Sequence, residues 1–133
     1  MDEVEVQIET EINPTESEDK VMMAVENIFG NIPTQIRFFQ RRKILTGKTK
    51  DLKIIDNISN LLRREQIRRA AKVALRKGLE IDEINFCLNK QVAYAGHISF
   101  CNEVSESPLG PIKVKIRCNN PRRIINMMVS KGS

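Results

Sequence analysis

The chain has no tryptophan, one tyrosine (Tyr94), one histidine (His97) and five phenylalanines among its 133 residues. So few rings are needed mostly for a core, which leaves little for base-by-base stacking of single-stranded nucleic acid. Phe39 and Tyr94 are the only rings whose place in the pattern puts them outside. No apolar run reaches the ~18 residues that suggest a membrane span. The start, MDEVEVQIETE, has neither the basic nor the apolar part of a signal peptide, so a cytoplasmic protein is expected. The three cysteines, Cys87, Cys101 and Cys118, are odd in number and form no CxxC pair. Reduced thiols packed as small apolar groups fit better than a disulfide framework. Structural zinc sites show paired ligands at short spacing, so three scattered thiols with His97 are not read as one, and no cofactor is expected. GxSxG, HExxH, P-loop and GxGxxG motifs are all missing. With no carboxylate beside it in the chain, His97 lacks a local partner to orient it as a base, and no enzymatic activity is expected.

Bases are scarce at one end and acids at the other. Residues 1–36 hold nine acids and one base, Lys20, whereas residues 37–133 hold 21 bases against 8 acids. The net charge of +5 conceals this asymmetry, which favours a polyanionic partner.

What is present reads as a single domain, with flexible ends expected at 1–3 and 129–133. EVEVQIETEI alternates strictly and predicts a strand with one wet, acidic face. Thr15 with Glu18 predicts a capping box for a helix that buries Val21, Val25, Ile28 and Phe29 and stops at Gly30. An extended basic stretch follows, read as a strand, a bend at 40–42 and a short strand near 43–45. Between Asp51 and Lys77 the apolar stripe of Leu52, Ile55, Ile58, Leu61 and Leu62 would, if continued, bury Glu65, Arg69, Lys72 and Arg76. Burying four charges is untenable, so two helices with a break at 63–66 are predicted, the second burying Ile67, Ala70, Ala71, Ala74 and Leu75 and ending at Gly78. Its Arg68, Arg69, Lys72 and Arg76 then turn outward together with almost no acid to neutralise them, either as a binding face or as a solvated one. INFCLNK and HISFC predict two strands joined through QVAYAG as a hairpin. IKVKIRC alternates as another strand, led in by SPLGP. Asn120 and Pro121 open a short final helix that buries Ile124, Ile125 and Met128. Asn89, Lys90 and Gln91 either offer donors to a phosphate or simply end a strand in solvent. Tyr94 is either a stacking platform or a lid over the core edge.

Three segments taken together, LLRREQIRRAAKVALRKG, INFCLNKQVAYAGHISF and SPLGPIKVKI, resemble a family of small uncharacterised archaeal proteins. Pro14-Thr15-Glu16-Ser17-Glu18-Asp19-Lys20 matches that family's early helix motif, and the resemblance runs from about Val4 to Met128. Leu88 to Ala93 and Ser107 to Ile112 are its most specific parts. The resemblance implies an α+β fold like that of ribosomal protein L-five, an antiparallel sheet with helices packed on one face, and RNA as a partner. It supplies no catalytic residue. Arg122 and Arg123 depart from the acids expected there. The expected contacts are Arg41, Arg42 and Lys43 on the bend and Arg68, Arg69, Lys72 and Arg76 on the helix, with Arg64, Lys90 and Gln91 as additional positions. The alternative is a homodimer that pairs its acidic first strand with basic segments of a second copy.

Overall fold

The computed structural model describes residues 3–101 and 110–130. Six strands form one fully antiparallel sheet in the order β2-β3-β1-β6-β4-β5. They are β1 (Glu5–Ile12), β2 (Thr34–Phe39), β3 (Arg42–Thr49), β4 (Glu83–Asn89), β5 (Phe100–Cys101) and β6 (Pro111–Arg117). The helices are α1 (Glu18–Phe29), α2 (Lys53–Arg64), α3 (Arg68–Lys77), α4 (Lys90–Tyr94) and α5 (Pro121–Val129). The α+β class with helices on one face is therefore the fold. The alternation in β1 buries Val6, Ile8, Thr10 and Ile12, the first three in register with Ile116, Val114 and Ile112 of β6. Ile84, Phe86 and Leu88 of β4 continue that apolar face. Phe29, Ile58, Leu62, Leu75, Ile124 and Met128 close the core from the helical side.

The helix break is where the stripe changes phase. Gln66 lies between α2 and α3 with a φ of 58°, and the Ile67 N–H reaches back to the Leu62 carbonyl at 3.1 Å. A left-handed residue rotates the following helix about its axis, so Ala71 and Leu75 come inward. Ala70 stays exposed instead of joining them. Leu52 is also exposed, with Ile54 buried in its place, because Leu52 precedes the first turn of α2.

Three local expectations are corrected. Thr15 does not cap α1: the Asn13 N–H and side-chain amide both donate to Glu16 Oε1, at 2.9 and 2.8 Å, and this turn delays the helix to Glu18. The strand after the bend is not short, since β3 runs eight residues and pairs with β1 from Val6 to Ile12. Between β4 and β5 the chain forms α4 rather than a plain hairpin. Asn89 caps it by accepting from the Val92 N–H at 3.0 Å, and His97 sits ahead of β5 rather than in it. The Asn120 cap and the Pro121 start of α5 are as expected, with Asn120 Oδ1 accepting from the Arg123 N–H. Most of the SPLGP segment lies outside the described residues, as do residues 1–2 and 131–133; Val129 is the last residue of α5.

Candidate nucleic-acid interface

The face of the sheet opposite the helices carries the charge. Along β1 it presents Glu5, Gln7, Glu9 and Glu11. β6 sets Arg117, Lys115 and Lys113 directly across from the first three. On the other flank Lys48 faces Gln7. The acidic stripe is therefore enclosed by cations of its own sheet. Lys48 Nζ stands 3.6 Å from Glu5, and Lys115 Nζ stands 3.8 Å from Glu83. The Gln7 side-chain amide donates to Glu5 at 2.6 Å; this bond, helped by Lys48 and opposed by some loss of water, holds the Glu5 carboxyl below its ordinary range.

A broad hollow of about 1110 Å³ includes this face and reaches α3. Arg37, Lys48, Lys77, Lys113 and Lys115 line it, against a single acid, Glu9. Gln7, Gln35, Thr46 and Asn85 add uncharged donors and acceptors, and Val73 adds an apolar contact from α3. Five cations around one concavity can attract a chain of phosphates, while the amides can hold sugar and base edges.

The anticipated residues divide. Arg69 and Arg76 are exposed on the side of α3 that also carries Val73 and Lys77; Lys72 is half-buried. Arg68, also half-buried, donates to the Ser130 carbonyl at 3.2 Å. Arg64 donates to the Gly96 carbonyl at 2.8 Å and lies 3.7 Å from Glu65. On the bend, Arg42 makes two bonds to Glu11 at 2.8 and 2.6 Å, and Lys43 pairs with Glu18; Arg41 is exposed. Lys43 pairs with Ile12 in the sheet while Lys48 pairs with Gln7, five residues along β3 or about 17 Å. The bend and the α3 end of the hollow are thus not brought together. Gln91 is exposed on α4.

Lys90 is a correction. Its side chain is 3 % exposed, and its ammonium donates to the Glu11 carbonyl at 2.6 Å and to Glu16 Oε1 at 2.9 Å. A buried ammonium held in this way joins α4 to the β1–α1 turn and does not meet a phosphate. Burial alone would raise the Glu16 carboxyl, but the Asn13 and Lys90 bonds outweigh it and hold the group below its ordinary range.

His97 does have a carboxylate partner, though a distant one in sequence: Nδ1 lies 2.7 Å from Glu65 Oε1. Glu103 and Glu106, the acids that follow His97 in the chain, lie outside the described residues. The His97–Glu65 pair does not line the hollow; it fastens the α2–α3 corner to the segment before β5. Tyr94 is partly exposed with Lys20 Nζ 5.8 Å from its ring centre. Among the described residues, no cluster of three or more His, Cys, Asp or Glu could hold a metal ion, and no helix is long and apolar enough to cross a membrane.

A family model described as RNA binding matches residues 5–118. A UPF0201 protein of Sulfurisphaera tokodaii is 39% identical over 124 residues, covering 93% of this chain and 86% of that one. The chain belongs to the UPF0201 family. A UPF0201 protein of Aeropyrum pernix is 35% identical over 128 residues, covering 94% of this chain and 84% of that one. The crystal structure of the UPF0201 protein from Methanococcus jannaschii superposes with a TM-score of 0.82 at 31% identity, covering 97% of this chain and 95% of that one. The archaeal family anticipated from the sequence is therefore the right one. Within the UPF0201 fold of this chain, Arg37, Lys48, Lys77, Lys113 and Lys115 were not anticipated as a site. The alternation of IKVKIRC puts Lys113, Lys115 and Arg117 on the wet face, but nothing in one sequence says that β6 lies beside β1.

Proposed function

We propose that this UPF0201 protein is a non-enzymatic RNA-binding protein that holds the sugar-phosphate backbone of structured RNA in the basic hollow. The observation that carries this reading is the set of five cations, Arg37, Lys48, Lys77, Lys113 and Lys115, around one concavity whose lining holds one acid, Glu9, with Glu5 and Glu83 beside Lys48 and Lys115 at 3.6 and 3.8 Å. Arg69 and Arg76 extend it along α3. The hollow is lined by amides and lysines, and its two rings, Phe86 and Phe100, are buried or half-buried against each other, which suits recognition of shape and phosphate over base stacking. Arg41 remains a peripheral contact; Arg42 and Lys43 act through their glutamate pairs on the fold.

Binding to total cellular RNA, followed by fluorescence anisotropy, tests the proposal. Neutralising four or five phosphates gives a log–log salt slope of about −3 to −4. Affinity independent of salt, or no retention of RNA at low salt, overturns it.

A specific observation also favours self-association. Among the described residues β2 has a sheet neighbour on one side only, and along it Phe38 and Phe39 are 75% and 61% exposed with Ile36 beside them. An unprotected apolar edge strand is a template for another strand, and antiparallel pairing of two identical edges about a two-fold axis is self-complementary. On this reading a second copy would pair along β2 rather than against the acidic stripe, which the sheet's own cations already flank. Light scattering that finds a monomer at every concentration, for both the native chain and Phe38→Asp, removes this reading.

A further inference from the structure

Cys87 of β4 and Cys101 of β5 are Cα partners in register, so their side chains leave the sheet on the same face, side by side. We infer that Cys87 and Cys101 form a reversible cross-strand disulfide, a thiol pair that takes oxidising equivalents from small disulfides such as oxidised glutathione. Three features of the structure carry this. First, the geometry is close to what a bridge requires. The Asn89 N–H donates to the Ser99 carbonyl at 2.8 Å, two positions along the same ladder, so the cysteines occupy a hydrogen-bonded pair position with Cα atoms about 5.5 Å apart. Disulfides span about 4.4–6.8 Å between Cα atoms but need Cβ atoms near 3.8 Å, whereas a hydrogen-bonded pair sets them about 5.5 Å apart, so β5 must move toward β4 by about 1.5 Å. Among the described residues β5 is two residues long, ends the sheet and pairs only with β4, which leaves it room to shift.

Second, the surroundings suit thiol chemistry. Lys113 of β6 stands directly across β4 from Cys87, opposite Cys101, so the row reads Cys101, Cys87, Lys113 across the wet face. A cation beside a thiol favours the thiolate, the nucleophilic form. Third, the two thiols differ in access. Cys87 is 9% exposed and Cys101 is half-buried, and both line the hollow.

The exchange follows from that difference. The Cys101 thiolate attacks one sulfur of the small disulfide and expels one thiolate. The Cys87 thiolate then attacks Cys101 Sγ in the mixed disulfide and expels the second. Two electrons pass to the small disulfide, and the two thiol protons pass to the released thiolates or to water. Cys118 is buried next to the end of β6 and takes no part.

The test is to equilibrate the full-length protein with glutathione at a series of reduced-to-oxidised ratios, quench with acid, and read intact mass and alkylatable thiols. The native chain and Cys118→Ser should both become lighter by two hydrogen atoms and lose two thiols, with a peptide joining residues 87 and 101. Cys87→Ser should stop at a glutathione adduct on Cys101. The oxidised native chain should melt about 10 °C higher than the reduced one, since the bond closes a loop of about 15 residues, while Cys87→Ser should show no such rise. Three thiols persisting at every ratio, a stable glutathione adduct on the native chain, a link to Cys118, or a bond between two molecules would each overturn the inference.

Discussion

Lys90 shows at the scale of single residues how a cation read from the sequence as a contact position is held by the fold itself, through Glu16. Lys90 is a basic residue between the amides of Asn89 and Gln91, yet its ammonium is enclosed by the Glu11 carbonyl and the Glu16 carboxylate. Truncating one partner of a buried pair leaves the other charge without compensation, so Lys90→Met should cost about 3 kcal/mol in urea unfolding. Where folded, that variant should keep its affinity for RNA. The Glu16 carboxyl titrates below its ordinary range in the folded chain, whereas in the unfolded chain it titrates at about 4.3. The unfolded state therefore binds the proton first. The stabilisation from Glu16 is complete above the unfolded value and is lost as pH falls through the lower folded one. Unfolding free energies of the native chain and Glu16→Gln should accordingly converge between pH 6 and pH 3. A gap that stays constant would mean that the carboxylate charge is not what stabilises the turn.

At the scale of elements, the end of α3 depends on a glycine for space rather than for conformation. Gly78 has an ordinary φ, but a Cβ there would fall on the Asn85 main chain of β4, to which the Gly78 carbonyl is bonded at 2.9 Å. Gly78→Ala must push α3 off the sheet edge and should lower stability by about 1–3 kcal/mol in thermal unfolding. Asn120→Ala, which removes the cap of α5, should cost about 1 kcal/mol by the same measurement. These elements differ in how far the sequence announces them. The α2–α3 break was legible because continuing one stripe would bury Glu65, Arg69, Lys72 and Arg76, and no helix tolerates that. β1 and β6 were legible from strict alternation. The start of α1 was not, because Thr15 and Glu18 have capping spacing while Asn13 competes for the turn by binding Glu16. Nor was α4, since a five-residue helix capped by Asn89 has the same length and glycine as a hairpin connection.

At the scale of the whole molecule, the fold class and the family were legible, and the surface was only partly so. Charge asymmetry along the chain pointed to a polyanion, but it also suggested an acidic face awaiting a basic partner. Strand order bears on the second of these: β1 lies between β3 and β6, so Glu9 and Glu5 face Lys113 and Arg117, and Lys48 reaches Glu5, within one sheet. Pairing of strands far apart in sequence is what local patterns do not encode, which is why Arg42 and Lys43 were read as contacts and Lys113 and Lys115 were passed over. The most direct measurement is RNA affinity as a function of salt for three proteins: the native chain, Lys113→Glu with Lys115→Glu, and a bend variant with Arg41, Arg42 and Lys43 all changed to Ala. The hollow variant should bind at least about tenfold more weakly with a slope shallower by about 2, and the bend variant should stay within about threefold of the native chain. Loss of binding in the bend variant with the hollow variant unaffected would contradict the account.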